Sequence, residues 1–329
     1  EVLNEQAKCL FKSMGYDEIS LTSLSISDYT KLPELTDMLL EWTDENMINL
    51  SLPSLRVDSF TKELMDKIAS VRSSSLTFAP EAGTQRMRDV INKNVREEDL
   101  LRVVNVAFEA GKNKVKLYFM QGLPTETKED LEGISKLAST VVDAYFKCPT
   151  RNKAKKPQVT ISVSCFIPKP FTPFQWVAQD TLETLVEKQE YLGSCVTDRR
   201  VVYTHHDAKV SRIEAVLARG DRRLSDALEL ACREGFKFDA WDECFDYDKW
   251  ISVLERTGAD PAFYANRTFG LDETLPWDII DCGVSKEFFI REYKNALGEK
   301  TTPSCREKCS GCGANKLGGE RTCCPKIQK

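Results

Sequence analysis

The 329-residue chain reads as an α/β protein: a partial, TIM-like barrel of parallel strands, followed by a mostly helical region and a cysteine-rich tail. Three observations carry that reading. From residue 15 to about residue 167, short apolar runs alternate with longer amphipathic segments, the pattern of successive βα units on a parallel sheet. From residue 208 to about residue 297 the apolar spacing becomes mostly helical. Five of the twelve cysteines then crowd into the last twenty-five residues. The expected divisions are 1–200 for the barrel, 201–300 for the helical region and 301–329 for the tail.

Strands are expected at Glu18–Leu24 (EISLTSL), Met47–Leu52 (MINLSL), Ser75–Ala79 (SLTFA), Val115–Met120 (VKLYFM) and Val159–Phe166 (VTISVSCF), with one more at Arg200–Thr204. Helices are expected between them, at Lys31–Trp42, Thr61–Val71, Glu97–Ala110 and Lys128–Tyr145, each apolar at three- and four-residue spacing, and again at Leu182–Gly193. Right-handed crossovers of this kind curl into a barrel or an open doubly wound sheet. Cys148–Pro157 (CPTRNKAKKP) is polar, basic and ends in proline, so it reads as an exposed loop. In the helical region Trp241, Trp250 and Trp277 are available for a second small core.

With 41% hydrophobic residues the chain can bury one large core and a smaller second unit. It has no apolar run of about eighteen residues and no secretory leader, so no membrane span is expected and the setting reads as cytoplasmic. A net charge of -5 gives no overall field to draw in nucleic acid, although a local basic patch stays open. Seven cysteines lie scattered singly and read as free thiols; Cys9 is placed mid-helix as a small packed residue.

In a parallel barrel, ligands gather at the carboxyl ends of the strands. Here those ends read Ser23-Leu-Ser-Ile-Ser-Asp-Tyr29, Leu52-Pro-Ser-Leu-Arg-Val-Asp58, Ala79-Pro-Glu-Ala-Gly-Thr-Gln85, Met120-Gln-Gly-Leu-Pro-Thr-Glu-Thr127 and Ile167-Pro-Lys-Pro-Phe-Thr-Pro173. The Gly-Leu-Pro-x-Glu-Thr box at Gly122–Thr127 resembles the fifth-strand element of the radical S-adenosylmethionine (SAM) superfamily that includes MiaB, NifB and the Elongator catalytic subunit. Pro80–Lys93 (PEAGTQ…INK) resembles the preceding element, Arg56-Val57-Asp58 the one before it, and Pro168–Pro173 the sixth-strand exit. Four ordered motifs at barrel-strand spacing make the resemblance specific, and it runs from Glu1 to the terminal cysteines. The branch it resembles often carries an N-terminal cobalamin-binding domain.

The resemblance implies SAM and a [4Fe-4S] cluster as cofactors, a reductase or flavodoxin-type electron donor, and reductive cleavage of SAM to a 5'-deoxyadenosyl radical that acts on a substrate the sequence does not name. Cobalamin-dependent methyl transfer and tRNA methylthiolation are open by analogy; charge does not support an RNA substrate. The cofactor-facing candidates are Ser23, Arg56, Glu81, Lys93, Met120, Gly122 and Pro124. Glu81 would accept from ribose hydroxyls, Lys93 would meet the methionyl carboxylate and Met120 would lie along adenine. Read without the resemblance, Glu81 is a loop carboxylate paired with Arg86 or Arg88, Lys93 a surface lysine and Met120 core. Gly122 lets backbone approach a ligand, Leu123 and Pro124 fix a turn, and Glu126 or Thr127 caps the next helix.

His205 and His206 are the only histidines, and as strand neighbours they face opposite ways. Arg219-Gly-Asp-Arg-Arg223 suits phosphate or RNA, or more simply a helix start at Asp221 with salt bridges. A radical SAM enzyme needs Cys-x3-Cys-x2-Cys after its first strand, and before Glu18 there is only Cys9. Together with the start at Glu1, this leads to the expectation of an N-terminally truncated barrel that is inactive alone. Cys305, Cys309 and Cys312 have the spacing, but only seventeen residues follow Cys312, too few for a strand that could deliver SAM. With Cys323 or Cys324 they suit structural zinc or an auxiliary iron-sulfur cluster instead. The rival reading is a non-catalytic barrel that binds a nucleotide or a partner protein, with the tail as a zinc knuckle.

Overall fold

A computed structural model describes residues 1–23, 26, 29–51, 76–305 and 307–314. Six strands are described and every pairing between them is parallel. β1 (Glu18–Ser20) pairs with β2 (Asn49–Ser51), Ile19 opposite Leu50. β3 (Leu76–Glu81), β4 (Lys114–Gln121), β5 (Gln158–Cys165) and β6 (Val201–His205) form a second sheet in that order. Five consecutive paired strands were expected; the described residues give a pair and a quartet, and residues 52–75, with Arg56 and the expected helix at 61–71, lie outside them. Because β6 pairs with β5, the sheet passes the expected boundary at residue 200.

The strands of the quartet alternate. Val115, Leu117, Phe119, Val159, Ile161 and Val163 point to one face, where they pack on α4 (Glu97–Glu109) and α5 (Lys128–Lys147) through Val104, Phe108, Leu137, Val141 and Tyr145. Truncating a fully buried member such as Leu117 to alanine would cost roughly 2–5 kcal/mol. The opposite face carries Lys116, Tyr118, Met120, Thr160, Ser162 and Ser164. A parallel strand covered on both sides is apolar throughout. This alternation therefore marks a sheet with an apolar face under α4 and α5 and a more polar face whose mouth end, at Met120, meets Tyr293 and Ala296.

Preceding the pair are α1 (Val2–Met14) and, between its strands, α2 (Leu32–Thr43), with a small core of Leu32, Leu35, Leu39 and Leu50. α1 buries Asn4, which accepts from the Trp42 indole at 2.9 Å, and leaves Cys9 exposed; the packed position expected for Cys9 is corrected, because a polar contact orients the helix. Short α3 (Gln85–Val90) follows β3, and α6 (Leu182–Cys195), capped by Thr181, joins β5 to β6.

Beyond β6 come α7 (Ala208–Ala218), α8 (Ser225–Arg233), α9 (Tyr247–Arg256), α10 (Pro261–Ala265) and α11 (Lys286–Leu297). Trp250 sits in a core with Val216, Leu254 and Tyr264, and Trp277 in another with Trp176 and Phe289. Trp241 was expected to join them but is 61% exposed on the loop between α8 and α9; Trp250 fills the core and donates to Asp239 at 3.2 Å. Asp221 caps the turn Arg222–Leu224 and pairs with Arg223, as the simpler reading of that stretch expects. Arg219, in contrast, is buried: it donates to the carbonyls of Ala265 and Arg267 and stacks 4.3 Å from the Phe269 ring, so it is not available to a phosphate. Among the described residues no helix is long and apolar enough to cross a membrane.

Candidate active site at the strand ends

The Gly-Leu-Pro-x-Glu-Thr loop leaves the carboxyl end of β4. Glu126 N donates to Leu123 O at 3.1 Å, closing a turn with Pro124 second and Thr125 third, at φ 68. A type II turn demands such a φ, and a non-glycine residue there costs about 1–2 kcal/mol. The loop is closed by Glu126. Its carboxylate, 3% exposed, accepts from Gly122 N at 2.8 Å and pairs with Lys188 Nζ at 2.9 Å; Lys188 also meets Asp180 at 2.7 Å. Burial pushes the Glu126 carboxyl above its ordinary value against the pull of Lys188. Burial opposes the Lys188 charge, yet Glu126 and Asp180 outweigh it and hold that ammonium above its ordinary value.

Helix capping, expected of Glu126 or Thr127, falls to Thr127. Thr127 occupies the N-cap of α5, and Asp130 reaches back to accept from Thr127 N at 2.9 Å. Gly122, at φ 77, is also explained by packing: a Cβ there would lie 3.1 Å from both Asp180 Oδ2 and Leu185 Cδ2. The open side of this glycine faces α6.

The Pro80–Gln85 element is locked to the same loop. A Cβ on Gly83 would stand 2.2 Å from Ile134 N and 2.5 Å from Gly133 C, so the β3–α3 connection lies directly on the α5 backbone. Thr84 caps α3, accepting from Met87 N, and donates to Asp130. Arg86 pairs with that same carboxylate, reaches Thr125 O at 2.9 Å and meets Glu299 at 3.2 Å. Burial alone would raise the Asp130 carboxyl, but Thr84, Arg86 and Thr127 together hold it below its ordinary value. Arg88 is buried and donates to Ala82 O at 3.0 Å. Neither arginine pairs with Glu81. Glu81, at φ 66 where β3 ends, pairs with Lys93 at 3.2 Å, so the two candidates for opposite ends of one ligand neutralise each other.

A cavity of about 560 Å³ opens at the carboxyl ends of β4 and β5. Met120, Leu123 and Phe166 give it an apolar wall, and Asn92, Ser164 and His206 bring polar groups. Of the cofactor candidates, Met120 lines it; Glu81, Lys93, Gly122 and Pro124 belong to the surrounding loops, Ser23 is exposed beyond β1, and Arg56 lies outside the described residues. The two histidines do diverge: His205 lies against Tyr203 at 5.3 Å and His206 lines the cavity. The far wall was not legible from the strand ends. It comes from α11 and the segment after it, where Thr302 N donates to Asn92 Oδ1 at 2.9 Å and Thr302 O accepts from Asn94 at 3.3 Å.

In the tail, Cys305 and Cys309 are exposed and Cys312 is half-buried, its carbonyl accepting from Ser285 N at 2.9 Å. Cys323 and Cys324 lie outside the described residues. Among the described residues no three His, Cys, Asp or Glu side chains are gathered as a metal site.

A family model, the radical SAM superfamily, matches residues 1–138. Over those residues the chain is similar to the radical SAM superfamily. The match takes in β1 to β4, both interlocked loops and the start of α5. An uncharacterised protein of Methanocaldococcus jannaschii is 32% identical over 244 residues, 74% of this chain and 50% of that protein. The chain thus spans about half the length of the curated relative it matches. Among solved structures, the Elp3 of the archaeon Methanocaldococcus infernus with an N-terminal deletion of residues 1–46 aligns with a TM-score of 0.42 and 12% identity, over 79% of this chain and 59% of that one.

The superfamily implies SAM and a [4Fe-4S] cluster. The mouth cavity suits the first: its volume is that of a small-molecule site, with an apolar wall for a purine and, around it, the charged side chains of Lys169, Glu214, Glu292 and Lys300 for a polar methionyl end. The described residues do not suit the second, since no three thiolates converge.

Proposed function

We propose that the mouth cavity binds SAM and that the chain forms the cofactor- and substrate-binding core of a radical SAM enzyme. The observation that carries this is the seating of Met120, at the end of β4, and Leu123, from the Gly-Leu-Pro loop, on the apolar wall of a cavity at the strand ends. SAM bound there would supply radical chemistry only with an electron from a [4Fe-4S] cluster fed by a reductase or flavodoxin-type donor, and three cysteines to hold such a cluster do not converge among the described residues. The protein's part is binding and orientation. Met120 and Leu123 would flank the adenine, a polarizable thioether against a π face. Glu81 and Lys93, each other's partner at 3.2 Å, would exchange that contact for ribose hydroxyls and the methionyl carboxylate. Two charges already held together lose less freedom on binding than two exposed ones.

Cys305, Cys309 and Cys312, with Cys323 or Cys324, would hold zinc or an auxiliary iron-sulfur cluster. The rival, a non-catalytic barrel, draws on the lack of converging thiolates among the described residues. Calorimetric titration with S-adenosylhomocysteine tests the cavity: wild type binds, and Met120→Asp, which puts a charge against the purine, weakens binding at least about tenfold. No binding by the wild type would overturn the proposal. Anaerobic assay for 5'-deoxyadenosine then separates the enzyme from its rival.

A further inference from the structure

Below the mouth, the polar face of the quartet carries a group of side chains the cofactor reading does not use. Register places Lys116 opposite Thr160, Tyr118 opposite Ser162, and Met120 opposite Ser164. Met120 and Ser164 line the mouth cavity. One row further down are Tyr118 and Ser162, with Thr204 beyond them on β6, and one row below that is Lys116. Rows on one face are about 7 Å apart and neighbouring strands about 5 Å apart, so Lys116, Tyr118 and Ser162 converge within the span of one small ligand.

The chemistry of this face is one-sided. Lys116 makes no ion pair among the described residues; its ammonium lies 4.7 Å from the Tyr118 ring centroid, which places both on the same face. Ser162 is only 7% exposed, and its hydroxyl makes no hydrogen bond among the described residues. A hydroxyl on a largely buried side chain beside an ammonium with no counter-charge is a ready pair of donors for an anion. The positions alternating with it on β4, β5 and β6, from Lys116 to Met120, Thr160 to Ser164 and Val202 to Thr204, include no carboxylate. Barrel interiors of this architecture are ordinarily filled by branched aliphatic side chains. Here there are hydroxyls around one ammonium.

We propose that Lys116, Tyr118 and Ser162 bind the oxyanion of the substrate, a phosphate or carboxylate, one to two rows below the mouth. Lys116 supplies the charge, while Ser162 and the Tyr118 hydroxyl donate to the anion's remaining oxygens. The inference rests on the SAM reading only in naming the ligand a substrate; the anion site is a matter of this face alone. A ligand anchored there would extend toward the mouth, between the sheet and whatever occupies the cavity.

The test uses the full chain, with inorganic phosphate and citrate titrated calorimetrically at constant ionic strength. At least one of them should bind the wild type, roughly tenfold or more weaker in Lys116→Met, with much of the loss restored in Lys116→Arg and a smaller loss in Ser162→Ala. Phosphate binding without citrate identifies a phosphorylated substrate, and the reverse a carboxylic acid. Failure of both anions to bind, or equal binding by wild type and Lys116→Met, overturns the inference. S-adenosylhomocysteine affinity is measured on the same variants and should not change in Lys116→Met. If the wild type binds no S-adenosylhomocysteine but keeps a Lys116-dependent anion site, the cofactor reading falls and this one stands.

Discussion

Lys188 on α6 holds its ammonium 2.9 Å from the carboxylate of Glu126, joining the Gly-Leu-Pro loop to the helix three elements later in the chain. Lys188→Met leaves that buried carboxylate with the Gly122 N–H and no cation. Because Lys188 itself is 21% exposed, the loss should fall short of a fully buried pair, at about 1–3 kcal/mol in urea denaturation. Glu126→Gln in the same chain should recover part of it. Additive losses in the double variant would show that the pair is not coupled.

Asp130 supplies a pH signature. Its carboxyl is held below the ordinary value, so its contribution to stability is fully present above the unfolded value near pH 4 and is lost as pH falls through the lower folded one. Asp130→Asn should cost about 1–3 kcal/mol at pH 7, and the gap from wild type should narrow below about pH 4. A gap that stays constant down to pH 2 would contradict the assignment.

Gly83→Ala tests the contact between the β3–α3 connection and α5. A methyl group 2.2 Å from a backbone nitrogen forces that backbone to move. Overpacking of this kind costs about 1–3 kcal/mol, occasionally more, and here it should also loosen the Thr84–Asp130 contact. Gly111→Ala is the comparison: nothing stands within 4 Å of its added carbon, and only its φ of 80 strains it.

For the tail, anaerobic purification should yield zinc or iron near one site per chain, lost in Cys305→Ser or Cys309→Ser. Metal content that does not respond to these substitutions would remove the tail proposal.

The strands of the quartet were legible because an apolar run bounded by turn residues needs only local information, and all four lie within two residues of their expected limits. Met120 could be placed for the same reason: a strand end in a parallel sheet is a predictable location. What the sequence hid was pairing between distant segments. Nothing near Glu81 identifies Lys93 as its partner over the two adjacent arginines, and nothing near Glu126 points to Lys188, 62 positions later. Trp241 and Cys9 show the other limit, since periodicity ranks hydrophobic residues without saying which one the core has room for.

The wall that α11 and Lys300 contribute, held in place by Thr302, has a consequence for assembly on the ribosome. Thr302 reaches Asn92 across 210 positions, and Glu299 reaches Arg86 across 213. The sheet and its covering helices can be complete while the cavity still lacks one side, because that side is synthesised after them. Such distant closures are slow and entropically expensive, so the nascent barrel emerges with its mouth gaping. A ligand that touches both α3 and α11 would then stabilise the final docking step by mass action. The cavity would mature only as its occupant arrives.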